Sequence, residues 1–369
     1  MTLEREDAPG MATTTTPAAR STDTGTGSGA GALEADLLAG FFDDPPTVPP
    51  RWFYDEKGSR LFDAITRLVE YYPTRAEAQI LRTRAEEIIG DATTVIELGA
   101  GTCEKTRVLL DVLAGRAGKE ADVPGGPGGT APGSPGGLTG SGEAGDVSEP
   151  AGPLFVPVDI STEMLAESAR AVAAEYPGLR VEPVVGDLTA LDGLPGEPGE
   201  RLVLFLGGTV GNFTEAQRGE FLAMLRRIMA PGDQFAMGFD LVKDPVRLVA
   251  AYDDARGVTA EFNLNMLDVM TATIACDGLD RHDFRHEAVW NAHESRIEMW
   301  LRAVRDVSIV FPTLGRRRTL SAGEGIRTEI ARKFEPDALA TELAANGFVR
   351  PTVWSDDAGD FGLVLVVVG

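Results

Sequence analysis

Two glycines after a carboxylate open the chemistry of this chain: Glu97-Leu-Gly-Ala-Gly101 ends an apolar run, and an amphipathic run follows at once. Strand, tight turn and helix are expected in that order, with Gly99 and Gly101 letting the backbone approach a ligand and helix N–H groups offering donors to it. A dinucleotide turn would want Gly or Ala three residues after Gly101, where Glu104 stands. A pyrophosphate therefore fits poorly, and a cationic or phosphate-free nucleoside fits better. Two aspartates close later strand-like runs, Asp159 after Leu154-Phe-Val-Pro-Val and Asp187 after Val184-Val-Gly. A carboxylate there can accept from a ribose diol or an exocyclic amine. His282 and His286 are spaced as a helical metal pair, but no third ligand has a recognised spacing, so both read as surface histidines and no metal is expected. Cys103 reads as a small buried filler.

These groups need elements to hold them. Hydrophobic residues make up 43% of the 369 and charged residues 25%, a balance that supports a packed core. The net charge of -23 disfavours phosphate backbones and anionic lipid as partners. Two cysteines without C-x-x-C spacing point to a reducing cytoplasm, and no apolar run is long enough for a membrane span. A monomer acting on a small molecule, with neither nucleic acid nor membrane as partner, is the expectation.

Residues 1–32 read as a disordered tail, and a helix is expected from Leu33. Prolines 45, 46, 49 and 50 then impose an extended link, aromatics crowd Trp52 to Phe62, and Thr74 is the expected cap of a helix reaching Ile89. Residues 117–153 hold twelve Gly and six Pro and read as a flexible surface insertion. Asp159 lies 58 residues beyond Gly101, and discounting that insertion brings it close to the ~20-residue spacing of the ribose acid in a βαβ unit. Ser161 is the expected cap of the next helix. Strands follow at 179–187, 201–206 and 234–239, with Thr214 and Gln217 as a capping box between the last two. Beyond Asp240 the rhythm breaks: helical residues 246–271, two strands across 284–310, an exposed turn at Arg316-Arg-Arg318, a helix from Pro336, and closing strands at 348–354 and 361–368. The fold class is thus α/β, a doubly wound parallel sheet of residues 72–242 and 334–369. Residues 33–71 and 243–333 are expected to pack as a smaller α+β domain over its carboxyl edge, where ligands of open α/β sheets bind.

The glycine turn resembles motif I of the S-adenosylmethionine (SAM) methyltransferases, and a Rossmann-like class I fold ends in such an antiparallel hairpin. Further phrases are more specific: Trp52-Phe-Tyr-Asp, Glu70-Tyr-Tyr-Pro-Thr-Arg75, Glu97-Leu-Gly-Ala-Gly-Thr-Cys-Glu-Lys-Thr-Arg107, Phe205-Leu-Gly-Gly-Thr-Val-Gly-Asn212, Arg296-Ile-Glu-Met-Trp-Leu301 and Arg327-Thr-Glu-Ile-Ala-Arg-Lys-Phe334. Together they resemble the histidine Nα-methyltransferases of ergothioneine biosynthesis, from about residue 33 to the end. The resemblance implies trimethylation of the L-histidine α-amine to hercynine, with SAM as methyl donor and no metal. It implies SAM contacts from Gly99, Gly101 and Lys105, a ribose contact from Asp159, and adenine contacts from Asp187 and Leu188. For the amino acid it implies Asn212 and Tyr252 at the carboxylate, Tyr54, Tyr71 and Gly207 at the amine, and Met299 and Glu329 at the imidazole. Tyr54 and Tyr71 are the implied catalytic pair. Where the family reads Thr-Glu-x-Ser, this chain has Ala331, which removes a hydroxyl. The alternative substrate is another amino acid's α-amine, such as tryptophan's. In other classes, a non-catalytic SAM-binding protein would not need Asn212, Tyr252 and Glu329 together, and a nicotinamide oxidoreductase is disfavoured by Glu104.

Overall fold

The computed structural model describes residues 27–120 and 152–369. Its elements in chain order are helices α1 (Gly27–Asp36), α2 (Glu56–Thr66) and α3 (Pro73–Ile89), strand β1 (Thr94–Leu98), α4 (Arg107–Glu120), β2 (Leu154–Asp159), α5 (Thr162–Glu175), β3 (Arg180–Val181), β4 (Val184–Val185) and β5 (Arg201–Phe205). Then come α6 (Glu215–Ile228), β6 (Gln234–Asp240), α7 (Pro245–Tyr252), α8 (Val258–Thr273), β7 (Phe284–Asn291), β8 (Arg296–Ala303), β9 (Val307–Phe311), β10 (Arg316–Leu320) and β11 (Gly325–Arg332). Helix α9 (Pro336–Ala345) and strands β12 (Phe348–Ser355) and β13 (Phe361–Val368) close the chain.

The principal sheet has the order β12-β13-β6-β5-β1-β2-β3, with β4 also on β2; β13 is antiparallel to β6 and β12 to β13, the other pairs being parallel. Its central strands are apolar on both faces because both faces are covered. Val95, Leu202 and Leu204 pack with Ile80, Leu81, Ile88, Leu109 and Leu110 of α3 and α4. Their alternating neighbours Ile96, Val203 and Phe205 pack with Phe221, Leu222, Leu339 and Leu343 of α6 and α9. A doubly wound sheet is the result, as the alternation of helix and strand in the sequence requires. A separate apolar cluster joins Leu37, Phe41, Phe53 and Ile65 to Phe262, Met266, Ile297, Leu301, Phe311 and Ile326. There β11, β8 and β7 form a three-stranded antiparallel sheet, and β9 pairs with β10.

Several local expectations change. Helix α1 starts at Gly27, ahead of Leu33, and residues 1–26 lie outside the described part. Pro73 opens α3 as its first residue, displacing Thr74 from the cap. Helix α4 begins at Arg107, so Glu104 belongs to the turn, and it runs through Glu120; residues 121–151 of the expected insertion lie outside the described part. Ser161 holds the cap position of α5 without a side-chain bond, and its own N–H is bonded to the Asp159 carboxylate. The third strand is two short pieces around Pro183, which has no N–H for a ladder. Residues 284–311 form three strands, and Arg316–Arg318 open a fourth instead of a turn. The reversal falls earlier, at Pro312 to Gly315, where Gly315 has φ +59°.

The Thr214–Gln217 capping box forms as its spacing predicts: each side chain meets the other residue's backbone N–H. Thr214→Ala is therefore expected to lower unfolding free energy by about 1 kcal/mol. The urea midpoint at constant slope measures it, and an unchanged midpoint would show that solvent serves these N–H groups equally well.

Candidate active site

A cavity of about 560 Å³ lies between the carboxyl edge of the parallel sheet and the second apolar cluster. Two sets of residues line it. From the sheet edge come Gly99, Asp159, Asp187, Leu188, Gly207 and Asn212; from the other side come Tyr54, Tyr71, Tyr252, Met299 and Glu329. Positions separated by more than two hundred residues in sequence thus face one space.

The sheet side is built by turn chemistry. Gly99 (φ 72°) and Gly101 (φ 52°) adopt left-handed backbone after β1, and Cys103 (φ 54°) completes the turn while buried. Asp159 braces that turn from the end of β2: Oδ2 accepts from the Gly101 N–H at 3.0 Å and Oδ1 from the Ser161 N–H at 3.0 Å. Each carboxylate oxygen keeps a second lone pair for a ligand. Asp187 Oδ1 accepts from the N–H and hydroxyl of Thr189 at 2.8 and 2.6 Å, which fixes the carboxylate. Beneath the turn, Glu97 is buried and bonded to Thr106 Oγ1 at 2.5 Å; burial pushes its carboxyl up to about 7.

After β5, Gly207 (φ 83°) and Gly208 (φ 70°) swing the chain into a short 3-10 turn, Thr209–Asn212. A Cβ on Gly211 would stand 2.8 Å from the Arg332 carbonyl oxygen, so this turn lies directly against β11. Asn212 and Glu329 therefore share the cavity by backbone contact between their elements. A register irregularity between Arg327 and Glu329 inserts Thr328 into β11. Such an insertion re-aims the adjacent side chains. Thr328 is buried, donating to Asn263 Oδ1 at 2.7 Å, while Glu329 pairs in register with Met299. Burial pushes the Glu329 carboxyl up to about 7 against the opposing pull of the Lys333 ammonium.

Aromatic rings make the remaining wall. Tyr54 lies 5.7 Å from Phe62 and 5.7 Å from Phe262, and Tyr71 lies 6.3 Å from Phe62 and 6.2 Å from Tyr252, all edge-to-face. Burial raises the Tyr71 and Tyr252 phenols well above their ordinary range, so both stay neutral. Tyr54 is 46% exposed and sits at the solvent side. The Tyr252 hydroxyl receives a hydrogen bond from Lys333 Nζ at 2.9 Å.

Three expected site residues do not line the cavity. The Lys105 ammonium is committed to Glu77, 2.5 Å away, and the Gly101 N–H to Asp159. Ala331 is 4% exposed within the second apolar cluster. Glu77 gives no signal in the sequence because it stands among other charged residues of an amphipathic helix. It is fully buried, and besides Lys105 it takes the Gly207 N–H at 2.7 Å, tying α3 to the loop after β5. Phe262, Thr259 and Phe62 also line the cavity; of these only Phe62 stood in an aromatic cluster visible beforehand. The histidine pair is dissolved: His282 is in a 3-10 turn and His286 in β7. With a side chain only 2% exposed, His286 is no surface residue; it meets Asn263 Nδ2 at 2.8 Å and the Tyr252 carbonyl at 2.8 Å.

The chain is similar to known proteins over most of its length. The family described as histidine-specific methyltransferase, SAM-dependent, matches residues 33–368. A histidine N-alpha-methyltransferase of Mycolicibacterium smegmatis is 44% identical over 91% of this chain and 95% of its own length. One from Mycobacterium tuberculosis is 43% identical over 90% and 94%. Ergothioneine biosynthesis protein 1 of Neurospora crassa is 28% identical over 88% of this chain, which spans 33% of that longer protein. On a match that covers both faces of the cavity, the chain belongs to the histidine-specific, SAM-dependent methyltransferase family.

Proposed function

We propose that this protein transfers methyl groups from SAM to the α-amine of L-histidine, three in succession, giving hercynine for ergothioneine biosynthesis. One observation carries the reading: a single cavity joins a nucleoside-type lining at the sheet edge to an amino-acid-type lining that ends in a partly buried carboxyl, Glu329. Asp159 accepts from the ribose hydroxyls and Asp187, with Leu188, receives the adenine. Asn212 and Tyr252 donate to the substrate carboxylate, Tyr54 and Tyr71 surround the amine with the Gly207 backbone, and Glu329 beside Met299 accepts from the imidazole N–H.

When bound, SAM supplies a methyl group already activated on a sulfonium. The chain's own task is alignment: amine nitrogen, methyl carbon and sulfur must fall in line, and the aromatic wall keeps bulk water from the site. The nitrogen lone pair forms the new N–C bond as the C–S bond breaks, leaving S-adenosylhomocysteine. The phenols of Tyr54, Tyr71 and Tyr252 are all raised by burial and too weakly acidic to serve as phenolate bases, so the amine proton leaves to water past Tyr54, which keeps part of its surface exposed. Between turnovers the widening ammonium meets ring faces, which favour such cations.

The test is product analysis by mass spectrometry with SAM and a panel of amino acids. Histidine gaining three methyl groups is the expected result; faster methylation of tryptophan or another amino acid would overturn the histidine assignment while leaving α-amine transfer in place.

A pH dependence follows. Glu329 is carboxylate only above about 7, and an acceptor is what an imidazole N–H requires, while the α-amine is freed higher still, since even peptide α-amines titrate at about 8. kcat/KM for histidine is expected to rise in two stages, the first through about pH 7. Glu329→Gln should erase the first stage and keep the second. A wild-type profile flat between those values would require a base elsewhere.

A further inference from the structure

We propose that Lys333 is a positioning residue for substrate recognition: through the Tyr252 hydroxyl it directs a hydrogen-bond donor at the carboxylate of the amino acid. This rests on the assignment of Tyr252 to that carboxylate.

Lys333 is 2% exposed, and its ammonium, which can only donate, lies 2.9 Å from the Tyr252 hydroxyl oxygen. That oxygen accepts, so the phenolic proton must point away from Lys333. The ring lines the cavity, and the hydroxyl makes no other hydrogen bond to a described residue. The proton is thus left for a ligand acceptor. A tyrosine alone could rotate its O–H to give or receive; Lys333 removes that choice and makes Tyr252 a donor only.

Ion pairs hold Lys333 in that place. Lys333 also pairs with Asp240 Oδ2 at 2.8 Å, and Asp240 is buried at the end of β6. The same carboxylate binds the Lys243 ammonium and accepts from the Tyr72 hydroxyl. The Lys333 ammonium is thus anchored on one side by a carboxylate that is itself fixed, and on the other it meets the Tyr252 hydroxyl oxygen. The backbone of Tyr252 is held as firmly: His286 bonds its carbonyl at 2.8 Å and is itself held by Asn263. The donor is thereby fixed from both ends before substrate arrives.

The experiment compares histidine with histamine, which keeps the imidazole and amine but lacks the carboxylate. Affinities are measured by calorimetry on the full-length protein saturated with S-adenosylhomocysteine, for wild type, Tyr252→Phe, Lys333→Met, Lys333→Arg and the Tyr252→Phe/Lys333→Met pair. Wild type should prefer histidine strongly. Tyr252→Phe and Lys333→Met should each cut that preference roughly tenfold or more, as expected for a hydrogen bond to a charged group. The double variant should lose little more than either single one, because the two residues act through one hydroxyl. Lys333→Arg should retain most of the preference, and S-adenosylhomocysteine affinity should stay constant throughout. Should Lys333→Met fail to bind S-adenosylhomocysteine, Lys333→Gln takes its place in the same comparison. A preference lost in Tyr252→Phe but intact in Lys333→Met or Lys333→Gln, or two losses that add in full, would overturn the role of Lys333. A preference intact in Tyr252→Phe would instead remove Tyr252 from the carboxylate.

Discussion

Replacing Glu329 with alanine is expected to raise KM for histidine roughly ten- to hundredfold while kcat changes much less. The magnitude is that of a hydrogen bond to a charged group, about 1.5–3 kcal/mol. The direction follows from placement. Glu329 lines the cavity, partly buried, and its carboxyl gains no hydrogen bond from any described residue. Such a group is costly unless a ligand supplies the missing donor. An imidazole N–H does so, and an apolar side chain does not, so the same replacement should help an apolar competitor such as phenylalanine, whereas tryptophan still carries one indole N–H to donate. Because the ring is held away from the reacting nitrogen, its binding energy is common to ground and transition states and shows in KM. Steady-state kinetics with these amino acids decide the matter. An unchanged KM for histidine, or tryptophan as the better wild-type substrate, would end the histidine assignment but not that of an α-amine methyltransferase.

Why could Glu329 be singled out from sequence when Lys333 and His286 could not? Glu329 was visible only through a family phrase; nothing in its local pattern separates it from a solvated strand charge. The central sheet was legible for a physical reason: strands buried on both faces, such as Arg201–Phe205, leave runs too apolar for surface helices, and caps like Thr214 mark where helices begin. Local signals misled where long-range contacts override them. Ser161 looks like a cap, but its side chain makes no bond to the helix, and its backbone N–H is tied to the Asp159 carboxylate instead. Arg316 to Arg318 look like a turn because strand β10 shows Arg316 and Arg317 to solvent and buries only Leu320 firmly. His286 and Lys333 become informative only when folding brings Tyr252 to them, from 34 and 81 residues away. No composition window or period registers such a meeting. Lys105 is the converse case: a lysine in the nucleoside motif whose charge is taken up by Glu77, 28 residues earlier.

Asp159→Ala is expected to weaken SAM and S-adenosylhomocysteine binding roughly ten- to hundredfold, again from about 1.5–3 kcal/mol per charged hydrogen bond. Two effects must be separated. The carboxylate braces the glycine turn through the Gly101 N–H and the start of α5 through the Ser161 N–H, so its loss loosens the loop as well as removing the ribose partner. Asparagine does not isolate them, because its amide would set a donor against one of those N–H groups. A ligand lacking the hydroxyl does. If the carboxylate accepts from the ribose, wild type should prefer S-adenosylhomocysteine over its 2′-deoxy analogue, and Asp159→Ala should lose that preference, whatever the loop has suffered. If the variant binds both ligands more weakly by the same factor, Asp159 is a brace alone. The ribose acceptor would then have to be sought among the other groups lining the sheet edge.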